Sequence, residues 1–281
     1  MYNQKNPNVV KLNFENFSLS TLRDNLYTGS LFQIEKKIFC PLIMSLKQAL
    51  QTYLVTEPEF AEHKLSPAQH FLQISKLRQE LYSSPTWKKN TFEFFQSLKL
   101  PLDEYWIDTP RIRAIVTTKN QSPLAKPAYY IHRDTWYGNS QSQINFWIPL
   151  CDISRENGFC FYLDYFDKPI KNNSHLFNYE IWKASGGYQS TNINKFFPTI
   201  QEELKSHKIY HVNLPSEGVL IFSSAHLHAT NPNTTDKTRF SIDIRIVHKK
   251  DFHDKLGAIN VDNFSVGLNI QDMWDFSKEN F

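Results

Sequence analysis

Pro127 to Leu150, PAYYIHRDTWYGNSQSQINFWIPL, is the stretch on which the reading of the chain turns. It reads as β-strand, in which residues i and i+2 share a face. His132 and Asp134 then project together, with Tyr130 beside them and Arg133 turned away. An imidazole and a carboxylate on one face are two legs of a metal clamp. The pair alone is a weak signal. The chain has 10 His, and about one His-x-Asp or His-x-Glu is expected by chance. Its plain reading is a surface His and Asp, so a partner elsewhere must decide.

The bulk properties narrow the field. At 281 residues the chain is one large domain or two small ones. Hydrophobic content is 41% and charged content 21%, so a sizeable core is possible. Aromatics reach 15%, with 22 Phe and 13 Tyr, which favours a β-rich interior or an aromatic pocket. A net charge of +3 with scattered basic residues argues against nucleic acid. No apolar run is long enough for a membrane helix. The start, MYNQKNPNVVKLNF, has no apolar signal region. Cys40, Cys151 and Cys160 are too few for a disulfide framework, and Cys151 and Cys160 read as small buried hydrophobes. These features point to a cytoplasmic protein in a reducing compartment. Nothing specifies an oligomeric state.

Residues 1–104 read as mainly helical after a loosely held polar start over 1–13. Ile43, Leu46, Leu50 and Tyr53 fall on one helical face. Ser66-Pro67 and Ser84-Pro85 are helix starts, a capping serine before proline at the first helical position. Phe71, Ile74, Leu77 and Leu81 form the buried stripe of the first, with Arg78 on its polar side. Trp87, Phe92, Phe95 and Leu98 form that of the second. All are expected to pack a core. Near Tyr105 the period becomes alternating, with strands over 111–118, 143–150, 159–163, 208–214, 219–224 and 238–247. Gln143, Asn145 and Trp147 share one face; so do Arg239, Ser241, Asp243 and Arg245. Residues 164–207 lose strand period and read as an insertion. It is either a lid, with Tyr165, Phe166, Phe177, Tyr179 and Trp182 over an organic molecule, or a peripheral decoration. Residues 249–281 are a C-terminal extension to a core of 105–163 and 208–248 within one domain. Helices followed by many strands predict an α+β chain with a β-sandwich or barrel at its centre.

The partner comes late. A histidine stands 94 residues beyond Asp134, and an arginine 11 residues further on is followed at i+2 by serine. This order, His-x-Asp…His…Arg-x-Ser, resembles the iron(II)/2-oxoglutarate dioxygenases, and more narrowly their phytanoyl-CoA dioxygenase-like branch. EGVLIFSSAHLHATNPN is similar to the family's segment leading to the distal histidine, and QINFWIPLCDI to its strand after the metal pair. The likeness covers about residues 105 to 247. It implies a double-stranded β-helix (jelly-roll, cupin-like) with N-terminal helices on its outer face. It implies iron(II) held by His132, Asp134 and His228, and 2-oxoglutarate held by Arg239. His226 is then a supporting or structural residue. In place of the family's common Pro-Gly-Ser-His segment after Glu156-Asn157-Gly158, this chain has FCFYLDYFDKP, which leaves the substrate side open.

The chemistry accounts for the residue types. Two imidazoles and a carboxylate suit iron(II) and leave coordination positions for 2-oxoglutarate and O2. The distal carboxylate of 2-oxoglutarate needs a planar, permanently charged fork, which arginine supplies and lysine does not. Ser241 adds a hydroxyl. An intact Asp134 argues for hydroxylation rather than the halogenation of relatives lacking that carboxylate. Two readings stand for Asn145, co-substrate contact or a structural amide. Arg113 binds an anionic substrate group or belongs to a surface network. Trp136 and Tyr137 wall the pocket or pack the core. The rival functions are a zinc site, hydrolytic or structural, built on His132, Asp134, His226 and His228, and a silent jelly-roll binding a small molecule.

Overall fold

The sequence's three apolar stripes become helices packed on a sheet, and a further helix precedes them. The computed structural model describes residues 9–12, 17–35, 40–54, 57–121, 123–187 and 196–279. The helices of the N-terminal part are α1 (Leu19–Tyr27), α2 (Pro41–Leu54), α3 (Pro67–Ser83) and α4 (Pro85–Ser97). At α3 the Ser66 hydroxyl accepts from the Gln69 N–H while the Gln69 side chain accepts from the Ser66 N–H, closing a reciprocal cap before Pro67. Ser84 caps α4 by position only, with no side-chain hydrogen bond.

The strands are β1 (Val9–Leu12), β2 (Leu31–Ile34), β3 (Tyr105–Ile107), β4 (Arg111–Ile115), β5 (Gln143–Pro149), β6 (Phe159–Tyr162), β7 (Ile209–His211), β8 (Val219–Ser223), β9 (His228–Thr230), β10 (Arg239–His248) and β11 (Trp274–Asp275). The large sheet runs β1-β2-β8-β5-β10-β3-β11, with β4 also on β10; the small sheet runs β7-β6-β9. Two short helices, α5 (Tyr179–Ala184) and α6 (Lys249–His253), follow β6 and β10. This is the expected jelly-roll core with helices outside it.

Strand alternation positions the site. On β5, Ile144, Phe146 and Ile148 join the helices in the larger apolar core, and on β10 so do Phe240, Ile242, Ile244 and Ile246. The intervening residues face inward. Trp147, Phe159, Phe161, Leu220 and Phe222 meet between the two sheets. Burying each such side chain stabilises by about 1.5–3 kcal/mol.

Several expectations are corrected. The stretch before β5 is not a strand: Pro123–Tyr129 and Asp134–Tyr137 are 3-10 turns, and only His132 makes a strand-like bridge, to His228. The turns win because Pro127 has no N–H for a ladder and because the Tyr130 and Trp136 N–H groups donate three residues back, to Pro127 and Arg133. Gly138, at φ 73°, ends the second turn, where a Cβ would lie 2.9 Å from Tyr179 Cβ. Val9–Leu12, expected to be loose, is paired in parallel with β2; residues 1–8 and 13 lie outside the described set. Phe71 is 41% exposed, and its place in the buried stripe is taken by His70. Arg78 does not point to bulk solvent but lines an internal cavity. Tyr165 and Phe166 are buried in small apolar clusters rather than lying over a ligand. Of the expected insertion, residues 188–195 lie outside the described set. Cys40, Cys151 and Cys160 are all unpaired. Among the described residues no helix is long and apolar enough to cross a membrane.

Candidate metal centre

His132 and His228 are brought together by backbone. Each N–H donates to the other's carbonyl, at 3.0 and 2.9 Å. Each ring is then anchored by its own Nδ1, which donates to a carbonyl two residues earlier: His132 to Tyr130 at 2.8 Å, His228 to His226 at 2.9 Å. A neutral ring that spends its proton on Nδ1 carries its lone pair on Nε2. Asp134 follows in the adjacent turn, with Oδ1 3.5 Å from His132 Nε2. One ligand atom from each of His132, Asp134 and His228 lies within 4.8 Å of the others.

The electrostatics favour the ligating forms. Burial, helped by the neighbouring His132, pulls His228 down to about 4, so it is neutral at physiological pH. Burial alone would push the Asp134 carboxyl up. The neighbouring imidazoles of His132 and His228, with Arg245, outweigh it and hold Asp134 below the usual carboxylate range. A neutral imidazole at His228 and an ionised carboxylate at Asp134 are the forms that bind a divalent ion. Nitrogen and carboxylate donors with open positions suit iron(II).

Asn145 does not turn its amide freely to the cavity. Its Nδ2 donates to Asp134 Oδ2 at 2.6 Å, and its Oδ1 accepts from Gln143 Nε2 at 2.9 Å. Tyr137 stacks edge-on against His132, with ring centroids 4.9 Å apart, and lines the cavity. Trp136 is corrected: it is fully buried, packs with Tyr165, Ile170 and Leu227, and donates from Nε1 to Asp262 at 2.9 Å. It is core, not pocket wall. His226 is also settled. Its ring nitrogens lie 3.1 Å from the Ser223 carbonyl and 3.0 Å from the Gly29 carbonyl, and it is not in the ligand group. The four-ligand zinc reading therefore loses a ligand.

Arg239 and Ser241 stand on the inward face of β10, and Arg239 lines the cavity that holds the three ligands. Arg239 is 3% exposed. Its Nη1 donates to the carbonyls of Asn157 at 3.0 Å and Gly158 at 3.3 Å, and its guanidinium lies over Trp147. Burial pulls it down to about 10, still charged at neutral pH. Among the described residues no carboxylate forms an ion pair with it. Its Nε and the Ser241 Oγ are buried without a hydrogen-bond partner. A buried charge left like this is costly unless an anion completes it. The arrangement fits the distal carboxylate of 2-oxoglutarate.

The cavity has a volume of about 720 Å³. Tyr129, Tyr137, Tyr179, Trp182 and Phe197 form its aromatic walls. Arg113 lines it too, donating from Nε to Asp243 at 2.6 Å. Sequence reasoning missed Arg78, Tyr82, Asp108 and Tyr129 on this wall, and Asn269 and Asp272 from the C-terminal segment. Arg78 had a signal: His70, Ile74 and Arg78 recur at four-residue spacing, one face of a helix.

Residues 43–241 match the family described as phytanoyl-CoA dioxygenase (PhyH). The chain belongs to the phytanoyl-CoA dioxygenase family. A search of curated proteins found no match. Among solved structures it is similar to EvdO2 from Micromonospora carbonacea var. aurantiaca complexed with 2-oxoglutarate, at 14% identity and a TM-score of 0.38, covering 62% of this chain and 64% of that one. It is also similar to the non-heme monooxygenase ThoJ, at 12% identity and a TM-score of 0.47, covering 81% and 77%. HygX from Streptomyces hygroscopicus, with nickel and 2-oxoglutarate bound, is similar at 14% identity and a TM-score of 0.38, covering 77% and 82%. All three likenesses are distant. Where phytanoyl-CoA dioxygenases commonly have Pro-Gly-Ser-His, this member builds β6, which pairs with β9 and so flanks His228.

Proposed function

We propose that the chain is a non-haem iron(II) oxygenase that couples oxidative decarboxylation of 2-oxoglutarate to hydroxylation of a small organic molecule. The observation that carries this reading is Arg239, a buried cation with no ion-pair partner among the described residues, open to the same cavity as His132, Asp134 and His228. A zinc site or a silent binding module leaves that charge without a purpose.

His132, Asp134 and His228 would hold the iron, and Arg239 with Ser241 the distal carboxylate of 2-oxoglutarate. Iron(II) and 2-oxoglutarate together would supply the oxygen activation, one atom of O2 passing into succinate and the other into a substrate C–H bond, with loss of CO2. The protein's own part is positional. The Nδ1 anchors aim two imidazoles. Asn145 fixes Asp134. Tyr137 and the other aromatic walls exclude water from the substrate. Three unpaired cysteines support a reducing, cytoplasmic setting.

The test is anaerobic addition of iron(II) and then 2-oxoglutarate to the folded protein. A metal-to-ligand charge-transfer band is expected only when both are present, and its absence overturns the reading.

A further inference from the structure

Helix α3 presents one continuous stripe to the cavity: His70, Phe71, Ile74, Arg78 and Tyr82. A cation on that stripe has to be explained. Arg78 Nε donates to the Ile112 carbonyl at 3.1 Å, and the Tyr82 hydroxyl lies against it. Both of these partners are neutral. Of the other arginines on this wall, Arg111 and Arg245 share Asp108, and Arg113 pairs with Asp243. Among the described residues no carboxylate forms an ion pair with Arg78.

Charge bookkeeping points the same way. The described lining carries six cations (Arg78, Arg111, Arg113, Lys183, Arg239 and Arg245) against five carboxylates (Glu62, Asp108, Asp134, Asp243 and Asp272). The excess is one positive charge. A ferrous ion and a 2-oxoglutarate dianion cancel and leave that excess unchanged. One monoanion neutralises it. A phosphate monoester, at about −1.5 to −2 near neutral pH, overshoots. Guanidinium forks match carboxylates in two parallel hydrogen bonds. The cavity that Arg78 shares with the metal ligands has aromatic walls, suited to an apolar body.

We infer that Arg78 anchors a carboxylate of the substrate at the α3 end of the cavity, so that the substrate is an organic monocarboxylate with an apolar or aromatic body. This rests on the oxygenase reading for its purpose, but the binding is measurable without turnover. The probes are phenylacetate, its neutral counterpart phenylacetamide, and phenyl phosphate. Their binding is followed by calorimetry, under anaerobic conditions, to protein given iron(II) and 2-oxoglutarate, and separately to metal-free protein.

The expected result is that phenylacetate binds more tightly than either other probe. Arg78→Gln binds it about ten- to a hundredfold more weakly, and Arg78→Lys falls between. The charge-transfer band persists in both variants. Equal binding of phenylacetate and phenylacetamide to the wild-type protein overturns the inference, as does no binding of phenylacetate at its solubility limit. So does undiminished binding to Arg78→Gln. Competition between phenylacetate and 2-oxoglutarate also overturns it, because the carboxylate then sits at Arg239. The wild-type comparison decides alone if Arg78→Gln does not fold. A missing band with a clear carboxylate preference sinks the oxygenase reading and leaves the anion site standing. The reverse result does the opposite.

Discussion

Asn145 Nδ2 lies 2.6 Å from Asp134 Oδ2, so the one carboxylate of the metal centre is held from the floor of β5. The same amide is itself oriented by Gln143. With Oδ2 engaged, Oδ1 is the oxygen on the His132 side. Groups that orient ligands in this way matter to metal affinity nearly as much as the ligands do. Asn145→Ala is therefore expected to weaken iron(II) binding about 10- to 100-fold while leaving the fold intact. Anaerobic titration with iron(II) measures this. Unchanged affinity would show that the turn around Asp134 suffices to place the carboxylate.

Arg239 separates metal binding from co-substrate binding. Arg239→Ala is expected to keep iron(II) affinity and to raise the 2-oxoglutarate concentration needed for the charge-transfer band about ten- to a hundredfold. Arg239→Lys keeps the charge but not the fork, and should recover only part of the loss. Loss of metal in Arg239→Ala would place the arginine's importance in the fold instead.

Much of this is legible in the sequence, and the reason is periodicity. Strands β5 and β10 lie between a helical layer and an interior, so their alternate residues separate cleanly into Ile242 and Ile244 on one side and Ser241 and Asp243 on the other. The order His132, Asp134, His228, Arg239 survives in one dimension because two neighbouring segments carry it. The turn before β5 was not legible, since tyrosine, isoleucine and histidine alternate there as they would in a strand. Arg78 was misplaced because a helical period says which residues share a face but not whether that face meets water or a cavity. The pairing of Arg133 with Asp262 joins residues 129 apart through a C-terminal loop with no pattern of its own.

His70 gives the cavity wall a pH signature. It is buried on α3 with Nε2 lacking a hydrogen-bond partner, and burial lowers its pKa below the ordinary 6.5. The native ring stays neutral where the unfolded ring takes up a proton. The unfolded state thus binds more protons below about pH 6.5, and stability falls as pH drops from there toward the native pKa. His70→Leu is expected to flatten that part of the stability profile relative to wild type, with little change at pH 8. Urea unfolding of both proteins across this range provides the check. Parallel profiles would mean that the ring is protonated in the native state.

Arg133 stands between two metal ligands in sequence and faces away from both. Its Nε donates to Asp262 at 2.9 and 3.2 Å, and its Nη groups donate to the carbonyls of Tyr165, Lys168 and Ala225. Asp262 also accepts from Trp136 Nε1 and the Ile170 N–H. One buried ion pair therefore fastens the metal-binding turn to the segment after β6 and to the C-terminal loop. Asp262→Asn leaves a buried guanidinium without its counter-charge, which costs about 3–5 kcal/mol. Since domains are stable by only about 5–15 kcal/mol, the loss should be large in chemical denaturation. It should also weaken iron(II) binding, because His132 and Asp134 flank the freed residue. The double variant Arg133→Met, Asp262→Leu removes both charges and is expected to regain part of the stability, the carbonyls and N–H groups freed from the pair keeping the rest of the loss. Its iron affinity should stay low if the pair's role is to aim the turn. Full recovery of both properties would show that apolar packing alone can hold the ligands in place.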